Sequence, residues 1–335
     1  MKKILITGAS GYIGGYLCAK GIELGYEIWA GVRKSSSREF LQNPRLNFIE
    51  LEFEDSAILS SQLDEFKKKY GRFEYIIHNA GITKAAVKDD YMKVNYQNTK
   101  NLIEALSLKG MIPDKFIYTS SLAAYGPGKD NSTEPITLDQ KPDPVNLYGK
   151  SKLEAEKYIQ SCENLKYIIL RPTGVYGFGA MDYYLIFKMI NQGLELYIGD
   201  KMQKLTFIYI KDLVRAYYIA IESDVFNKSY FLSEANYYTT NTFYSMIKNE
   251  LNKKTIKIII PVWLIKTIAG INECIGNITK KYPVLNRDKL VILKATNWIC
   301  ETKQLRDHLN FETEYDLKKG IKETVIWYRK NGWIK

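Results

Sequence analysis

A doubly wound α/β fold with a parallel sheet is predicted for this chain of 335 residues from three observations. Short apolar runs alternate with amphipathic stretches through the first half, as in chains whose helices cover both faces of a parallel sheet. A glycine-rich turn follows the first apolar run and opens the first amphipathic stretch. Hydrophobic residues make up 46% and charged residues 25%, the ordinary mix for a globular protein with a sizeable core.

Six apolar runs of the first half are predicted to be strands. They lie at residues 3–7, 27–32, 47–51, 75–78, 115–119 and 167–170. The amphipathic stretches at residues 12–24, 57–70, 90–108 and 146–162 are predicted to be helices. We expect right-handed crossovers, with ligands bound at the carboxyl ends of the strands.

The pattern loosens after residue 172. Helices are predicted at residues 183–192, 211–223, 242–251, 262–275, 302–308 and 317–331, and strands at 205–210 and 228–232. These patterns predict a ligand-binding domain over residues 1–172 and a second lobe over 173–335, part of which returns to the first domain. The segment 123–145 is rich in Gly, Pro, Asp and Asn and long for a loop, so we expect it to be functional.

Composition narrows the function classes. The formal net charge of +11 fits a nucleic acid, a membrane surface or a phosphorylated ligand, but the basic residues are scattered, so nucleic acid is not expected. Only two histidines are present, which excludes a multi-histidine metal centre, and no metal is predicted. The four cysteines lie far apart without a Cys-x-x-Cys pair and are predicted to be buried thiols in a reducing compartment.

The sequence predicts a cytoplasmic protein without a membrane span. The lysines after Met1 are followed by only three apolar residues, which is too few for an export signal. The most apolar later stretch, residues 258–265, is far shorter than the roughly 20 residues that a span needs. Contact of residues 258–275 with a membrane surface is left open.

The glycine-rich turn, TGASGYIG at residues 7–14, is predicted to bind a pyrophosphate. Gly8 can make the tight turn, Gly11 lets the backbone approach the ligand, and Gly14 lets the helix pack against the strand. The helix N-terminus then offers free N–H groups to the phosphates. The alternative is a glycine-rich turn without a ligand.

This Gly-x-x-Gly-x-x-Gly spacing resembles the extended branch of the short-chain dehydrogenase/reductase superfamily, the NAD-dependent epimerase/dehydratase family. The resemblance implies a Rossmann-type doubly wound parallel sheet that binds NAD(P) over residues 1–172, and a smaller C-terminal α/β lobe that mainly binds a small-molecule substrate. It also implies a homodimer formed through the helices at 90–108 and 146–162. The cofactor-binding positions of the turn are then Gly8, Ser10, Gly11, Tyr12, Ile13 and Gly14.

The end of the second strand favours NADP over NAD, which remains the alternative. An acidic residue there would bind the ribose hydroxyls of NAD, but none occurs between Glu27 and Glu39. Arg33, Ser35 and Arg38 can instead bind a 2′-phosphate. A solvated basic loop is the competing interpretation.

Further cofactor contacts are implied by the resemblance alone. Glu52 and Phe53 resemble the family's Asp-hydrophobic pair beside the adenine, with Glu in place of Asp. His78, at the end of the fourth strand, is predicted to be a packing residue and not a base. The remaining implied contacts are Asn79, Ala80 and Gly81 after that strand, Ser120 after the fifth, and Pro172 and Val175 near the nicotinamide.

Tyr148 and Lys152 form the predicted catalytic pair because a spacing of four places them on one helix face. A free tyrosine titrates near about 10, and a neighbouring ammonium favours the phenolate, so Tyr148 can act as acid and base. Residues 120–126 resemble the family's Ser-Ser-x-x-x-Tyr-Gly signature, which implies that Ser121 binds the reacting oxygen. Asn95 resembles the catalytic asparagine of Val-Asn-x-x-Gly-Thr.

Two departures concern the substrate. Gly174 and Leu205 stand where sugar-nucleotide enzymes of this branch usually carry Asn and Arg, which weakens recognition of a nucleotide diphosphate. The motif RPTGVYG at residues 171–177 and the arginine that ends the second strand resemble the 3β-hydroxysteroid dehydrogenase/dihydroflavonol reductase side more closely. Apolar residues that suit a hydrophobic alcohol or ketone, or simply belong to the core, are Tyr183, Tyr184, Phe187, Met189 and residues 261–265.

The sequence therefore predicts an NADP-dependent oxidoreductase that acts on a secondary alcohol or ketone of a small, fairly apolar substrate. The first alternative is a sugar-nucleotide epimerase or dehydratase that retains its NAD(P). A non-catalytic NAD(P)-sensing scaffold is the remote alternative.

Overall fold

The computed structural model describes residues 1–199, 202–279 and 287–334, and the strands within them begin and end close to the predicted positions in the first half. In chain order the strands are β1 Lys3–Thr7, β2 Glu27–Val32, β3 Asn47–Glu50, β4 Tyr75–His78, β5 Lys115–Thr119, β6 Tyr167–Pro172, β7 Gly174–Tyr176, β8 Leu194–Ile198, β9 Lys204–Tyr209, β10 Lys228–Leu232, β11 Tyr237–Thr239, β12 Ile256–Ile260 and β13 Asn297–Trp298.

The helices alternate with these strands. They are α1 Tyr12–Glu23, α2 Ser56–Tyr70, α3 Asn98–Leu108, α4 Leu147–Ser161, α5 Met181–Asn191, α6 Ile210–Glu222, α7 Thr240–Leu251, α8 Val262–Thr279, α9 Arg287–Lys294, α10 Lys303–Leu309 and α11 Leu317–Lys330. The predicted helix at 90–108 differs at its start, where Met92–Gln97 forms a π-helical segment before α3.

The predicted parallel sheet is confirmed. Among the described residues it has seven strands in the order β10-β6-β5-β4-β1-β2-β3, and every neighbouring pair is parallel. All residues of β4 and β5 are buried, because helices cover both faces of the sheet. The order reverses between β1 and β4, and ligands of doubly wound sheets bind at the carboxyl ends beside such a reversal.

The second half of the chain is not separate from this sheet. Strand β10 pairs with β6 at the sheet edge. Helix α6 lies against α1, and the Tyr218 hydroxyl of α6 donates a hydrogen bond of 2.5 Å to the Leu17 carbonyl oxygen of α1. A smaller sheet is centred on β9, which pairs with β7, β11 and β13, while β8 and β12 form a further parallel pair. The strands β7, β8, β11, β12 and β13 and the helix α9 are additions to the predicted elements.

The segment 123–145 is attached to the C-terminal part of the chain. Ile136 donates its backbone N–H to Ile299 and accepts one from Glu301. Pro127 and Val145 line a cavity of about 430 Å³ together with residues of β8, α8 and α9. The segment therefore borders a cavity of the C-terminal part of the chain.

Three of the cysteines lie in the described structure. Cys18 and Cys300 are buried free thiols and Cys162 is half-buried, while the side chain of Cys274 lies outside the described residues. In the part of the chain that the structure describes, no helix has both the length and the apolar character that crossing a bilayer requires.

Candidate active site

A cavity of about 700 Å³ opens at the carboxyl edge of the central sheet. Its walls are built by the segments that follow β1, β2, β3, β4, β5 and β6, together with the start of α5. The residues predicted as site residues that line it are Gly8, Ser10, Gly11, Tyr12, Ile13, Arg33, Glu52, Phe53, Asn79, Ala80, Gly81, Ser120, Ser121, Tyr148, Lys152, Pro172 and Val175. Four predicted residues, namely Gly14, Ser35, Arg38 and Asn95, lie outside this lining.

The glycine-rich turn forms the floor of the cavity. Gly8 has a φ of +64°, and a Cβ atom there would lie 2.7 Å from the carbonyl oxygen of Asn79. A Cβ atom on Gly14 would lie 2.2 Å from the Gly8 carbonyl oxygen, so Gly14 serves the packing of α1 against the turn. Both positions therefore need glycine, one for its backbone conformation and one for the close approach.

The start of α1 fits a pyrophosphate. Gly11 is its N-cap, and within the described chain no side chain caps this end and no acidic residue lies in its first turn. The first N–H groups of a helix lack intrahelical partners and carry partial positive charge. This end of α1 is therefore open for an anion, and the adjacent glycines leave room for it.

In the loop after β2, Arg33 lies at the cavity, but Ser35 and Arg38, which were predicted to bind the same phosphate, do not. Arg33 lines the cavity beside Ser36, whose hydroxyl accepts the Arg33 backbone N–H at 3.0 Å. Ser35 is exposed outside the lining. The Arg38 guanidinium lies over the Phe48 ring, 4.3 Å from its centroid, because that aromatic face is half-exposed and attracts a cation. Ser36 was not predicted.

The segment after β3 supplies acidic and aromatic lining. Glu52, Phe53 and Glu54 border the cavity, and Phe53 is buried. The Glu54 carboxylate pairs with Lys93 at 2.6 Å, at the start of the π-helical segment. Glu52 thus lies at the position that the family resemblance predicts, although its contact with an adenine remains a prediction.

Asn95 holds the wall after β4 without lining the cavity. Its amide oxygen accepts the Ile82 N–H at 2.8 Å, and its amide nitrogen donates to the Ile82 carbonyl oxygen and to Ser151 Oγ at 3.0 and 2.9 Å. These bonds join the π-helical segment, the wall at 79–82 and helix α4. Asn95 is therefore a positioning residue by its contacts.

His78 is a packing residue, as predicted. Its ring nitrogens lie 2.7 Å from Thr7 Oγ1 and 2.9 Å from Thr99 Oγ1. Burial lowers the pKa of His78 to about 3, so the imidazole is neutral at physiological pH. Because threonine hydroxyls occupy both ring nitrogens and His78 does not line the cavity, the imidazole does not reach a substrate.

Tyr148, Lys152 and Ser121 meet in the cavity. Lys152 Nζ donates to the Thr119 carbonyl oxygen at 2.8 Å, and a Cβ atom on Gly81 would lie 3.0 Å from that nitrogen. Burial lowers the pKa of Lys152 to about 8. Burial raises the pKa of Tyr148 to about 12, and its hydrogen bond with Ser121 opposes that rise. Lys152 is not among the groups that shift this pKa, so the expected stabilisation of the phenolate is not seen in this state. The phenol carries its proton, which suits a general acid.

An ion pair lies buried behind this group. Arg171 Nη2 is 2.7 Å from Glu156 Oε2, and both side chains are almost completely buried. Ser120 Oγ donates to the other oxygen of Glu156. The guanidinium is also stacked on Tyr125 at 4.6 Å. Ser120, which precedes Ser121, is thereby held by helix α4, and Lys152 lies one turn before Glu156 on that helix.

The outer part of the cavity is formed by β7 and the start of α5. A Cβ atom on Gly174 would lie 2.2 Å from the Tyr183 hydroxyl oxygen, so this phenol occupies the space in front of Gly174. The Tyr183 ring packs against Phe207 and Phe243, with centroids 5.9 and 6.0 Å away. Leu205 is half-buried, packs against the core and does not line the cavity.

Residues around the cavity mouth were missed by sequence reasoning. Asp182 lines the mouth and pairs with Lys84 at 2.6 Å, which links α5 to the segment after β4. Thr173 also lines the cavity, and its hydroxyl is buried without a hydrogen-bond partner among the described residues. No local pattern marks these residues, because they meet only when the lobe folds over the sheet.

In the described part of the chain, no group of three His, Cys, Asp or Glu side chains is arranged to hold a metal ion. The glycine cradle, the open end of α1 and the Tyr148–Lys152 pair instead fit a nicotinamide dinucleotide.

Comparisons with known proteins agree with this geometry. A putative UDP-glucose 4-epimerase of Methanocaldococcus jannaschii is 26% identical over 345 residues, with 98% of this chain and 99% of the relative covered. The decarboxylating sterol-4-alpha-carboxylate 3-dehydrogenase of Candida albicans is 24% identical over 362 residues, with 99% of each covered. The crystal structure of UDP-glucose 4-epimerase with UDP-glucose from Thermotoga maritima superposes with a TM-score of 0.79 at 23% identity, covering 98% of this chain and 99% of that one.

The model of the NAD dependent epimerase/dehydratase family matches residues 4–231, which include the glycine-rich turn and helix α4 with Tyr148 and Lys152. The chain therefore belongs to this family and is a nicotinamide-dependent enzyme of the extended short-chain dehydrogenase/reductase type.

Proposed function

We propose that the protein is an NADP-dependent oxidoreductase that interconverts a secondary alcohol and a ketone on a small, fairly apolar substrate. Tyr148 is the acid and base, Ser121 binds the reacting oxygen, and Lys152 holds the charge that favours proton transfer. When bound, the nicotinamide supplies or accepts the hydride.

The chain's own part in ketone reduction is proton delivery. Ser121 donates a hydrogen bond to the carbonyl oxygen, and Tyr148 transfers its phenolic proton to that oxygen as the C=O bond becomes C–OH. The ammonium of Lys152, fixed on the Thr119 carbonyl oxygen, stabilises the phenolate left behind. A proton from solvent then restores the phenol. Alcohol oxidation follows the same steps in reverse.

NADP is the cofactor that the end of β2 supports. Arg33 lines the cavity there, and a guanidinium binds a phosphate through several N–H groups. Ser36 lines the same wall and takes the place that the sequence suggested for Ser35. Arg38 contributes positive charge at longer range from its place on Phe48.

The observation that carries the choice of substrate class is the Tyr183 hydroxyl in front of Gly174. With the Tyr183 phenol at this position and Leu205 packed against the core, the outer cavity presents neither the amide nor the guanidinium that the resemblance assigns to sugar-nucleotide enzymes. A cavity bordered by Pro172, Val175 and Met181 suits an apolar carbon skeleton.

A sugar-nucleotide epimerase is the second candidate. The observation that favours it is full-length similarity to proteins described as UDP-glucose 4-epimerases. Such a reaction would use the same Tyr148 and Ser121 but return the hydride to an internal intermediate, so the cofactor would show no net change.

The two candidates differ in cofactor turnover. The purified protein is first analysed for a bound nicotinamide, and NADPH oxidation is then followed with a panel of ketones and with UDP-glucose. The proposal predicts stoichiometric NADPH oxidation with an apolar ketone. Epimerised UDP-glucose without net cofactor oxidation would overturn it.

A further inference from the structure

Six exposed apolar side chains lie near one another in sequence on the smaller lobe, at a distance along the chain from Tyr148 and Lys152. They are Ile256, Ile258 and Ile259 of β12 with Trp263, Leu264 and Ile268 of α8, and we call them the β12–α8 surface. All six side chains are exposed, and Ile256 and Trp263 each retain 68% of their accessible area. Soluble monomers rarely leave so many large apolar side chains together in water.

The local structure explains why these side chains face outward. Helix α8 turns Ile265 and Ala269 into the core, so the positions between them in the helical repeat remain on the outside. Strand β12 pairs with β8 along one edge, and among the described residues its other edge has no strand partner. The exposed isoleucines of β12 and the exposed face of α8 are joined only by Pro261.

The charged residues of the segment that carries this surface are all basic. Residues 251–272 contain four lysines and no aspartate or glutamate. Those lysines, Lys253, Lys254, Lys257 and Lys266, are all exposed. The Lys257 ammonium nitrogen lies 4.5 Å from the centroid of the Tyr197 ring, and the side chain of Lys257 remains exposed.

We propose that the β12–α8 surface binds the headgroup region of an anionic bilayer, with the isoleucines and Trp263 entering the interface. Apolar side chains with an aromatic ring gain free energy at the headgroup boundary, and lysines at the rim are attracted to anionic lipid. The proposed contact lies in the plane of the membrane surface, as for interfacial helices. An acidic, apolar protein is the competing partner.

The test uses the full chain and two vesicle preparations, one of phosphatidylcholine alone and one that also contains phosphatidylglycerol. The protein is expected to sediment with the second preparation and to be released as salt rises. Trp263→Glu with Ile259→Glu should weaken partitioning by about tenfold or more, since both changes place charge in the buried interface. Ile326→Glu, at an exposed isoleucine of α11, is the matched control and should bind normally.

Brominated lipid provides a second readout. It should quench the fluorescence of the unchanged protein, and Trp263→Phe should bind vesicles but lose this quenching. Absence of sedimentation with phosphatidylglycerol vesicles would overturn the proposal. The proposal would also be overturned if the double glutamate variant bound these vesicles as well as the unchanged protein does. A third contrary result would be a protein that binds no vesicles but self-associates, or binds an acidic protein, in a way that the double glutamate variant abolishes. Catalytic turnover is not involved, so failure here leaves the proposed function untouched.

Discussion

At the residue scale, the proposed preference for NADP rests on Arg33, which lines the cavity at the end of β2. Reversing its charge with Arg33→Asp should remove attraction for a 2′-phosphate and add an acceptor for ribose hydroxyls, so the ratio of NADP to NAD affinity should fall by roughly tenfold or more. Dissociation constants for both cofactors provide the measurement. Lys34→Asp is the control, because the neighbouring Lys34 has the same charge but does not line the cavity. Tighter NAD than NADP binding by the unchanged protein would refute the NADP assignment.

Gly174 and Tyr183 are expected to act as a coupled pair. Gly174→Ala would place a methyl group 2.2 Å from the Tyr183 hydroxyl oxygen and displace the phenol, so kcat/KM should fall by about tenfold. In a Tyr183→Phe background the same change should cost little, because the clashing oxygen is gone and the next atom, on Phe207, lies 3.2 Å away.

The measurement for this pair is a double-mutant cycle on kcat/KM with the ketone identified in the screen. Tyr184→Phe is the control, since its hydroxyl bonds to the Trp333 carbonyl oxygen outside the cavity. Additive effects of the two changes would show that the Tyr183 hydroxyl does not fill the space in front of Gly174.

At the scale of elements, the Arg171–Glu156 pair joins β6 to α4. Arg171→Met should destabilise the protein by about 3–5 kcal/mol, because it leaves the Glu156 carboxylate buried without its cation. Arg171→Met combined with Glu156→Met should recover much of that loss, since both charges are then absent. Urea unfolding of the two variants and the unchanged protein measures this, and a double variant as unstable as Arg171→Met would contradict the account.

Glu234 lies two residues after strand β10 and contacts the start of helix α11. The protonation of its carboxyl group makes the stability of the fold depend on pH. Its carboxylate accepts the Leu317 N–H at 3.1 Å and the Tyr238 hydroxyl at 3.0 Å. Burial raises the pKa of Glu234 from 4.5 to about 7, helped by Asp316 and Asp212. The folded state therefore binds a proton that the unfolded state releases, and stability falls as pH rises from 4.5 to 7.

The size of this effect is roughly 3 kcal/mol, and Glu234→Gln should abolish it because the amide does not titrate. Thermal melts at pH 5 and pH 8 should show a smaller loss of stability on raising the pH in Glu234→Gln than in the unchanged protein. The exposed Glu301→Gln serves as the comparison. Identical pH dependence in all three proteins would exclude Glu234 as the titrating group.

At the scale of the whole molecule, the sheet and its ligand edge were readable from the sequence because local patterns specify them. Apolar runs mark β1 to β6, and the spacing of Tyr148 and Lys152 fixes their common helix face whatever surrounds them. The Gly8–Gly14 spacing likewise depends on neighbouring residues only. These features account for the confirmed fold class and for most of the cavity floor.

The outer site was not readable in the same way. Tyr183 meets Gly174 only because α5 packs against β7 and β9, and Arg38 leaves the predicted phosphate site because Phe48 of β3 offers a ring. The isoleucines of strand β12 are exposed on both faces of the strand. The sequence of this strand therefore lacks the regular apolar–polar alternation that would predict it. Such contacts depend on tertiary packing, which a single sequence does not encode in a local pattern.

The most direct test of the central claim is turnover by Tyr148→Phe. The account predicts that kcat for ketone reduction falls by about 10²–10⁴-fold while the dissociation constant for NADPH stays within about twofold, because only the proton donor is lost. Tyr158→Phe, on the same helix with its hydroxyl directed at Glu104, should retain full activity. Undiminished ketone reduction by Tyr148→Phe would contradict the assignment of Tyr148 as the acid and base.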